Sequence, residues 1–273
     1  MSELFNNLWQ NQKPLMLAGI GFLVATIILA VLMQFDSTQV LGINRWIKPI
    51  KFASSAAIFL LTVAVYLYYL QGFEKSKSII AWGTLVIMIA EVFLIIMQAA
   101  RGTTSHFNIA KPFDAMVFAT MGLMILTNTL LVVYLTFLYF RADFELPNAI
   151  VWGMRLGLIV FLIGSIQGGY MSSQIGHAVG IADGGAGLPF VNWSTTGGDL
   201  RVAHFLGLHA LQIIPLFAVA LVYFQSRISI IKPTIFTAIF ALFYFSFFTF
   251  LFLQALSGNP LIPQTILSRN HLQ

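Results

Sequence analysis

The sequence predicts an all-α fold, a seven-transmembrane-helix bundle with an outward-facing polar cavity, and three observations lead there. Hydrophobic residues fill 59% of the 273 positions and charged ones 8%, which leaves too little polar surface to clothe a water-soluble globule. The apolar residues gather into seven long runs, each near the roughly 20 residues a helix needs to cross a bilayer. None of the runs alternates apolar with polar as a membrane β-barrel strand must.

The first run, Leu15 to Phe35, follows MSELFNNLWQNQK, which has no basic segment. The run is longer than a secretory core and shows no small-residue cleavage signal, so it is expected to be retained. The second run, Phe52 to Leu70, starts behind the basic WIKPIK; the third, Ile79 to Ala100, lies between EKSKS and Arg101. The fourth, Ala115 to Phe140, passes 26 positions without a charge between KPFD and RADFELP. Ile150 to Met171 follows a Pro-Asn start, Val202 to Phe224 follows GGDLR, and Pro233 to Leu256 carries proline at its first position, where a helix tolerates it. All of 1–273 reads as one transmembrane domain.

The connections are unequal. QGFEKSKS, RADFELPN and QSRISIIK are short and share the side of the N-terminus. The opposite side has FDSTQVLGINRWIK, RGTTSHFNIAKPFD, an outward loop over 172–199 and the C-terminal tail, with all five histidines on or near it. Basic residues nearly balance: Lys13, Lys75, Lys77, Arg141, Arg155, Arg227 and Lys232 face Arg45, Lys48, Lys51, Arg101, Lys111, Arg201 and Arg269. Short basic loops favour the cytoplasm, so the N-terminus is placed inside. Scattered as they are, these cations form no block of the kind that binds nucleic acid. Without cysteine there is no disulfide, thiolate ligand or iron-sulfur cluster. No internal repeat is evident.

A charge costs about 2.5–3.5 kcal/mol in mid-membrane on insertion scales, so polar side chains within spans turn inward. In the second span Lys48, Lys51, Ser55, Thr62, Tyr66 and Tyr69 keep to one helical stripe. Thr84, Met88, Glu91, Gln98 and Arg101 do the same in the third, and Asp114, Met121, Met124 and Asn128 in the fourth. Arg201, His204, His209 and Gln212 share an arc of the sixth. At about 1.5 Å per residue, Glu91 lies some 15 Å below Arg101 and His209 some 15 Å below Asp199. The expectation is a funnel in which Glu91 and His209 meet near the midplane as catalytic groups. Lys48, Lys51, Gln98, Arg101, Asp114, Asp199, Arg201 and Gln212 would take substrate at its mouth. Asp114 and Asp199 also stand where helix N-caps belong. A carboxyl at the depth of Glu91 must find a partner or keep its proton. His106, in a loop able to fold over the mouth, joins His204 and His209 as a candidate metal ligand; His177 and His271 carry little weight.

GIADGGAGLPFVNWSTTGGD lacks the preceding strand and following lysine of a phosphate-binding loop. It reads instead as a flexible outward loop or lid with glycines at turns. Asn192-Trp193-Ser194 matches a glycosylation sequon and is assigned nothing.

The segments RWIKPIKFASS, QAARGTTSHFN with KPFD, and GGDLRVAHFLGLHALQ resemble an uncharacterised family of bacterial multi-pass membrane proteins. The resemblance implies a place in the bacterial plasma membrane and no particular activity. Seven-helix zinc hydrolases related to ceramidases place two histidines three residues apart, whereas four residues separate His204 from His209. Three functions are weighed, cofactor binding ranked ahead of carriage. First is a haem or divalent-metal cofactor held by His209, His204 and His106 or Glu91 for redox or hydrolytic chemistry. Second is a proton-coupled carrier or receptor for a small anionic solute or lipid headgroup. Third is an accessory subunit whose polar stripes only bind neighbouring helices.

Overall fold

The computed structural model describes residues 2–185, 187–228 and 232–264; Arg269 and His271 lie outside them. The fold is all-α, with seven helices long and apolar enough to cross a membrane, as expected of a multi-pass membrane protein. It divides into two compact units, 1–144 and 145–273.

The first unit opens with α1 (Ser2–Asn11), a helix the apolar runs do not reveal because it is amphipathic and short. Leu8 is buried, Leu4 and Phe5 are exposed, and Asn7 donates to the Tyr68 hydroxyl at 3.2 Å. Then come α2 (Lys13–Phe35), α3 (Ile47–Tyr69), α4 (Glu74–Ala100) and α5 (Pro112–Arg141). Pro14 and Pro112 sit in the first turns of α2 and α5, where their missing N–H costs nothing. An antiparallel pair of two-residue strands, β1 (Gln39–Val40) and β2 (Ile43–Asn44), joins α2 to α3. Its turn has positive φ at both Leu41 and Gly42, the geometry that matches strand twist. Asp36 locks this hairpin: Oδ2 accepts from Arg45 Nε at 2.6 Å and Trp46 Nε1 at 2.8 Å, and Oδ1 from the Thr38 amide at 3.0 Å. The Thr38 bonds, then Arg45 and Trp46, hold the Asp36 carboxyl well below the usual carboxylate range against the opposing effect of burial. Arg45 also donates to the Ala100 carbonyl at 3.0 Å, tying the hairpin to the last turn of α4.

The second unit holds α6 (Asn148–Ser173), β3 (Ala178–Val179), β4 (Gly198–Asp199), α7 (Leu200–Ile228) and α8 (Pro233–Leu256). Gly153, Gly157, Gly164 and Gly168 recur on one face of α6 at spacings of 4, 7 and 4 and let α7 come close. A Cβ on Gly164 would stand 2.8 Å from the Gly207 backbone, and one on Gly153 would stand 3.1 Å from Cα of Pro215, the proline inside α7. Val160, Ala210, Ile214, Ala241 and Tyr244 fill the layer among the three helices. In both units the outward rows, such as Val24, Ile27 and Ile28 of α2 or Leu242 and Phe243 of α8, are exposed aliphatic and aromatic groups suited to acyl chains.

Both ends of the segment over 172–199 are tied down. β3 pairs with β4, Leu200 N donates to the His177 carbonyl at 3.0 Å, and Gly198 lies so close to Ala255 that no side chain fits there. Gly187 and Gly198 serve close backbone approach, whereas Gly180, Gly184 and Gly185 take positive φ at turns.

Candidate functional site

Glu91 is the centre of the best-defined polar feature of the first unit. It sits in mid-α4 with 4% of its surface exposed, and Oε1 has no hydrogen-bond partner among the described residues. Thr84, seven residues earlier on the same face, and Asn128 on α5 are also buried, with Thr84 Oγ1 and Asn128 Oδ1 unpartnered. Apolar packing surrounds them: Ile95, Val117 and Met121 form one cluster, and Gly83 admits Leu131 so closely that a Cβ would touch it at 2.7 Å. Leaving a polar atom buried and unpaired costs about 1–3 kcal/mol, so three along one seam are unusual for a merely structural contact.

Toward the hairpin end the seam closes in a charged knot. Asp114 Oδ1 accepts from Gln98 Nε2 at 3.0 Å and Arg101 Nη1 at 2.6 Å, and Arg101 also donates to Gln98 Oε1. The Arg101 guanidinium lies 4.5 Å from the Phe113 ring centre. Asp114 is therefore no N-cap: α5 starts two residues earlier behind Lys111, and Asp114 spends Oδ1 on Gln98 and Arg101. Around the same end Lys48 and Lys51 occupy the first turns of α3, which begins five residues ahead of the apolar run. Lys48 Nζ is 5.8 Å from the Phe52 ring centre. His106 does fold over this end, its ring 5.3 Å from Phe52 and 6.4 Å from Phe118 and its Nδ1 3.1 Å from Ser105 Oγ. It is packed among phenylalanines.

The stripe expected on α3 holds only in part. Tyr66 is buried and its carbonyl accepts from the Tyr139 hydroxyl at 2.7 Å, but Ser55 is exposed and Thr62 returns its hydroxyl to the Ile58 carbonyl of its own helix. A hydroxyl can satisfy itself on the preceding turn, so its position in a span is a weak guide to the interior.

In the second unit His204 Nδ1 is 2.9 Å from the Gly164 carbonyl, and its ring fills the space where a Gly168 side chain would stand. It is a packing group between α6 and α7. His209 is half-buried, edge-on to Phe205 at 4.3 Å, with Gln212 one turn further along. Glu91 belongs to the first unit and His209 to the second.

Asp199 gathers the loop end of this unit. Its side chain is 1% exposed; Oδ1 accepts from Arg201 Nε at 2.9 Å and the Arg201 amide at 3.0 Å, and Oδ2 from Arg201 Nη2 at 2.6 Å and the Ser194 amide at 2.9 Å. It thus caps α7 and pairs with arginine at once. Burial pushes the Asp199 carboxyl up, but the Arg201 bonds and charge, the Ser194 amide and nearby His177 outweigh it and hold the group below its usual range. His177 Nδ1 lies 3.5 Å from Asp183 Oδ1 and 3.8 Å from Asp199 Oδ1. Asp183 also accepts from the His177 and Ala178 amides. His177 and Asp183 were invisible as a pair because nothing in their six-residue spacing distinguishes a folded loop from a free one. Asp36 and Arg45, opposite charges across a short turn, did carry such a signal.

Among the described residues no three of His, Asp and Glu are placed to hold a metal ion. Of the expected ligands, His204 sets Nδ1 on the Gly164 carbonyl, His106 sets Nδ1 near Ser105 Oγ, and His209 stands edge-on to Phe205. A cleft at the end of α8, lined by Phe250, Gln254, Asn259 and Leu261, contains none of the predicted site residues.

No family model, no curated protein and no solved structure matches this chain. Its chemistry must be read from its own side chains.

Proposed function

We propose that this is a bacterial plasma-membrane protein, N-terminus inside, in which Glu91 exchanges a proton in step with capture of a small anionic solute or lipid headgroup. The observation that carries the reading is the buried Glu91 carboxyl halfway along a span, its Oε1 without a partner among the described residues. Ionisable groups kept at that depth, against their insertion cost, mark ion or proton pathways by default. The knot of Gln98, Arg101 and Asp114 separates Glu91 from the hairpin end. There Arg45, Lys48, Lys51, Arg101 and Lys111 stand against Asp36 and Asp114, each carboxylate already held by an arginine. That surplus of positive charge draws anions toward the mouth.

The test is proton uptake or release in weakly buffered detergent solution on adding inorganic phosphate, acetate or short-chain phosphatidylglycerol. At least one of the three is expected to move close to one proton per chain in the wild type and none in Glu91→Gln. Equal proton movement in the variant, or none in the wild type with all three, would falsify the reading.

A further inference from the structure

The polar groups of α4 recur at a fixed interval. Lys77, Thr84, Glu91 and Gln98 are each seven residues apart, so they fall on one seam in layers about 10 Å from one another. From Lys77 to Gln98 the rise is about 32 Å, the thickness of a hydrocarbon core of about 30 Å. The antiparallel α5 repeats the pattern with Asp114, Met121, Asn128 and Leu135, again seven apart. Its register on α4 is pinned at both ends, by Gln98 to Asp114 at 3.0 Å and by Ser76 Oγ to the Tyr134 hydroxyl at 2.7 Å, with Gly83 against Leu131 between. That register sets Asn128 level with Thr84, and Met121 level with Glu91.

We propose that this α4–α5 seam is a transmembrane proton route through the first unit, with Glu91 as its central relay. A seam between two membrane helices needs nothing but small and apolar residues to pack, yet here a polar side chain recurs every seven residues along α4, with apolar Ile80, Ile87 and Ile95 buried between. Thr84 is the telling case. Thr26, Thr62, Thr127, Thr129 and Thr136 all return their hydroxyls to the carbonyl four residues back, whereas buried Thr84 keeps Oγ1 unpartnered. Its hydroxyl, the Asn128 oxygen and the Glu91 oxygen are thereby available to order water along the seam, since a buried water needs two to four polar partners. Lys77, its side chain 16% exposed and paired with Glu74, ends the row on one side; Arg101 and Asp114 end it on the other. The transfer balances simply. A hydronium entering from one side gives its proton to a Glu91 carboxylate oxygen, and the resulting acid O–H gives that proton to a water on the far side, with no electron moved.

The route rests on the reading of Glu91 as a proton-exchanging group, but its test is separate. Full-length protein is reconstituted into vesicles of phosphatidylcholine and phosphatidylglycerol carrying an internal pH dye, and a potassium diffusion potential drives protons inward. Wild-type vesicles are expected to acidify at least tenfold faster than protein-free ones. Glu91→Gln abolishes the excess, Glu91→Asp retains part of it, and Thr84→Val with Asn128→Leu lowers it severalfold. Thr127→Val, one residue from Asn128 but exposed and bonded to its own helix, leaves it intact. Wild-type vesicles as tight as empty ones overturn the route, as does Glu91→Gln conducting like wild type while melting at the same temperature. A tight wild type whose ligand-linked proton uptake still depends on Glu91 sinks the route alone; Glu91-dependent flux with no ligand-linked uptake sinks the coupling alone.

Discussion

Gln98 Nε2 donates to Asp114 Oδ1 at 3.0 Å, joining two buried side chains on neighbouring helices. The bond does more than bind α4 to α5, because the same carboxylate oxygen takes Arg101 from the solvent side. Gln98 therefore shares a charge that Arg101, 40% exposed, cannot shield alone. Gln98→Ala removes the buried donor and is expected to lower stability by about 1–3 kcal/mol. Gln98→Glu is expected to be worse, since it sets a second carboxylate against Asp114. Thermal unfolding in detergent measures both; a change within a few tenths of a kcal/mol in Gln98→Ala would show that Arg101 suffices.

The crossing of α6 and α7 depends on two glycines meeting. A Cβ on Gly207 would come within 2.7 Å of the Gly164 Cα and 2.9 Å of the Phe248 ring, and one on Gly164 within 2.8 Å of the Gly207 backbone, which cannot swing aside. Gly164→Ala or Gly207→Ala is expected to cost about 1–3 kcal/mol or more through forced separation of the helices. Gly122, on α5, has nothing within 4 Å of its Cβ position. Gly122→Ala is expected to be neutral or slightly stabilising. If all three alanine variants melt together, the close crossing is not what holds the second unit.

The seven spans were legible because lipid leaves the backbone no alternative to helices and demands about 20 apolar residues for each. Helix ends were less so: Ile47, Glu74 and Pro112 start their helices several residues before the apolar runs, since polar first turns are free to stand in the headgroup region. α1 escaped because Leu4, Phe5, Leu8 and Trp9 are too few to register as a run. Of the site, Glu91, Gln98, Asp114 and Asn128 were readable as buried stripes, because a carboxylate has no donor to return to its own helix and an amide keeps a carbonyl oxygen that such a bond leaves unsatisfied. Thr62 was misread for the converse reason, and Ser55 is exposed. Who partners whom was not readable at all. The pairing of His177 with Asp183, and of His204 with the Gly164 carbonyl, comes from loop and helix packing that spacing alone does not encode.

Asp199 makes the loop end of the second unit acid-sensitive. Its carboxyl is held below its ordinary value in the folded chain, so the folded state binds fewer protons than the unfolded one in that range. The stability it contributes is complete above the unfolded value of about 4 and is lost as pH falls through the folded one. Acidifying from about pH 5 toward 3 is expected to release the Ser194 and Arg201 amides, read as falling hydrogen-exchange protection at those two positions. In Asp199→Asn that pH dependence should vanish. Persistence of the same acid loss in the variant would move its cause to another group.

Glu91 is where stability and function are expected to oppose one another. A buried carboxyl with an unpartnered oxygen is a standing cost to the fold, as are Thr84 and Asn128 beside it. Replacing a buried polar group by an apolar one of similar size removes that cost without opening a cavity. Glu91→Leu and Asn128→Leu are therefore each expected to raise stability by about 1–3 kcal/mol, opposite in sign to most substitutions in a packed interior. The gain should come with loss of proton exchange, the trade expected where a site is kept at the expense of the fold. The two leucines lie one layer of the seam, about 10 Å, apart, so their effects should add. The same measurement separates this from a structural role: were Glu91 holding neighbouring helices by a hydrogen bond, Glu91→Leu would melt below wild type and Glu91→Gln would restore it.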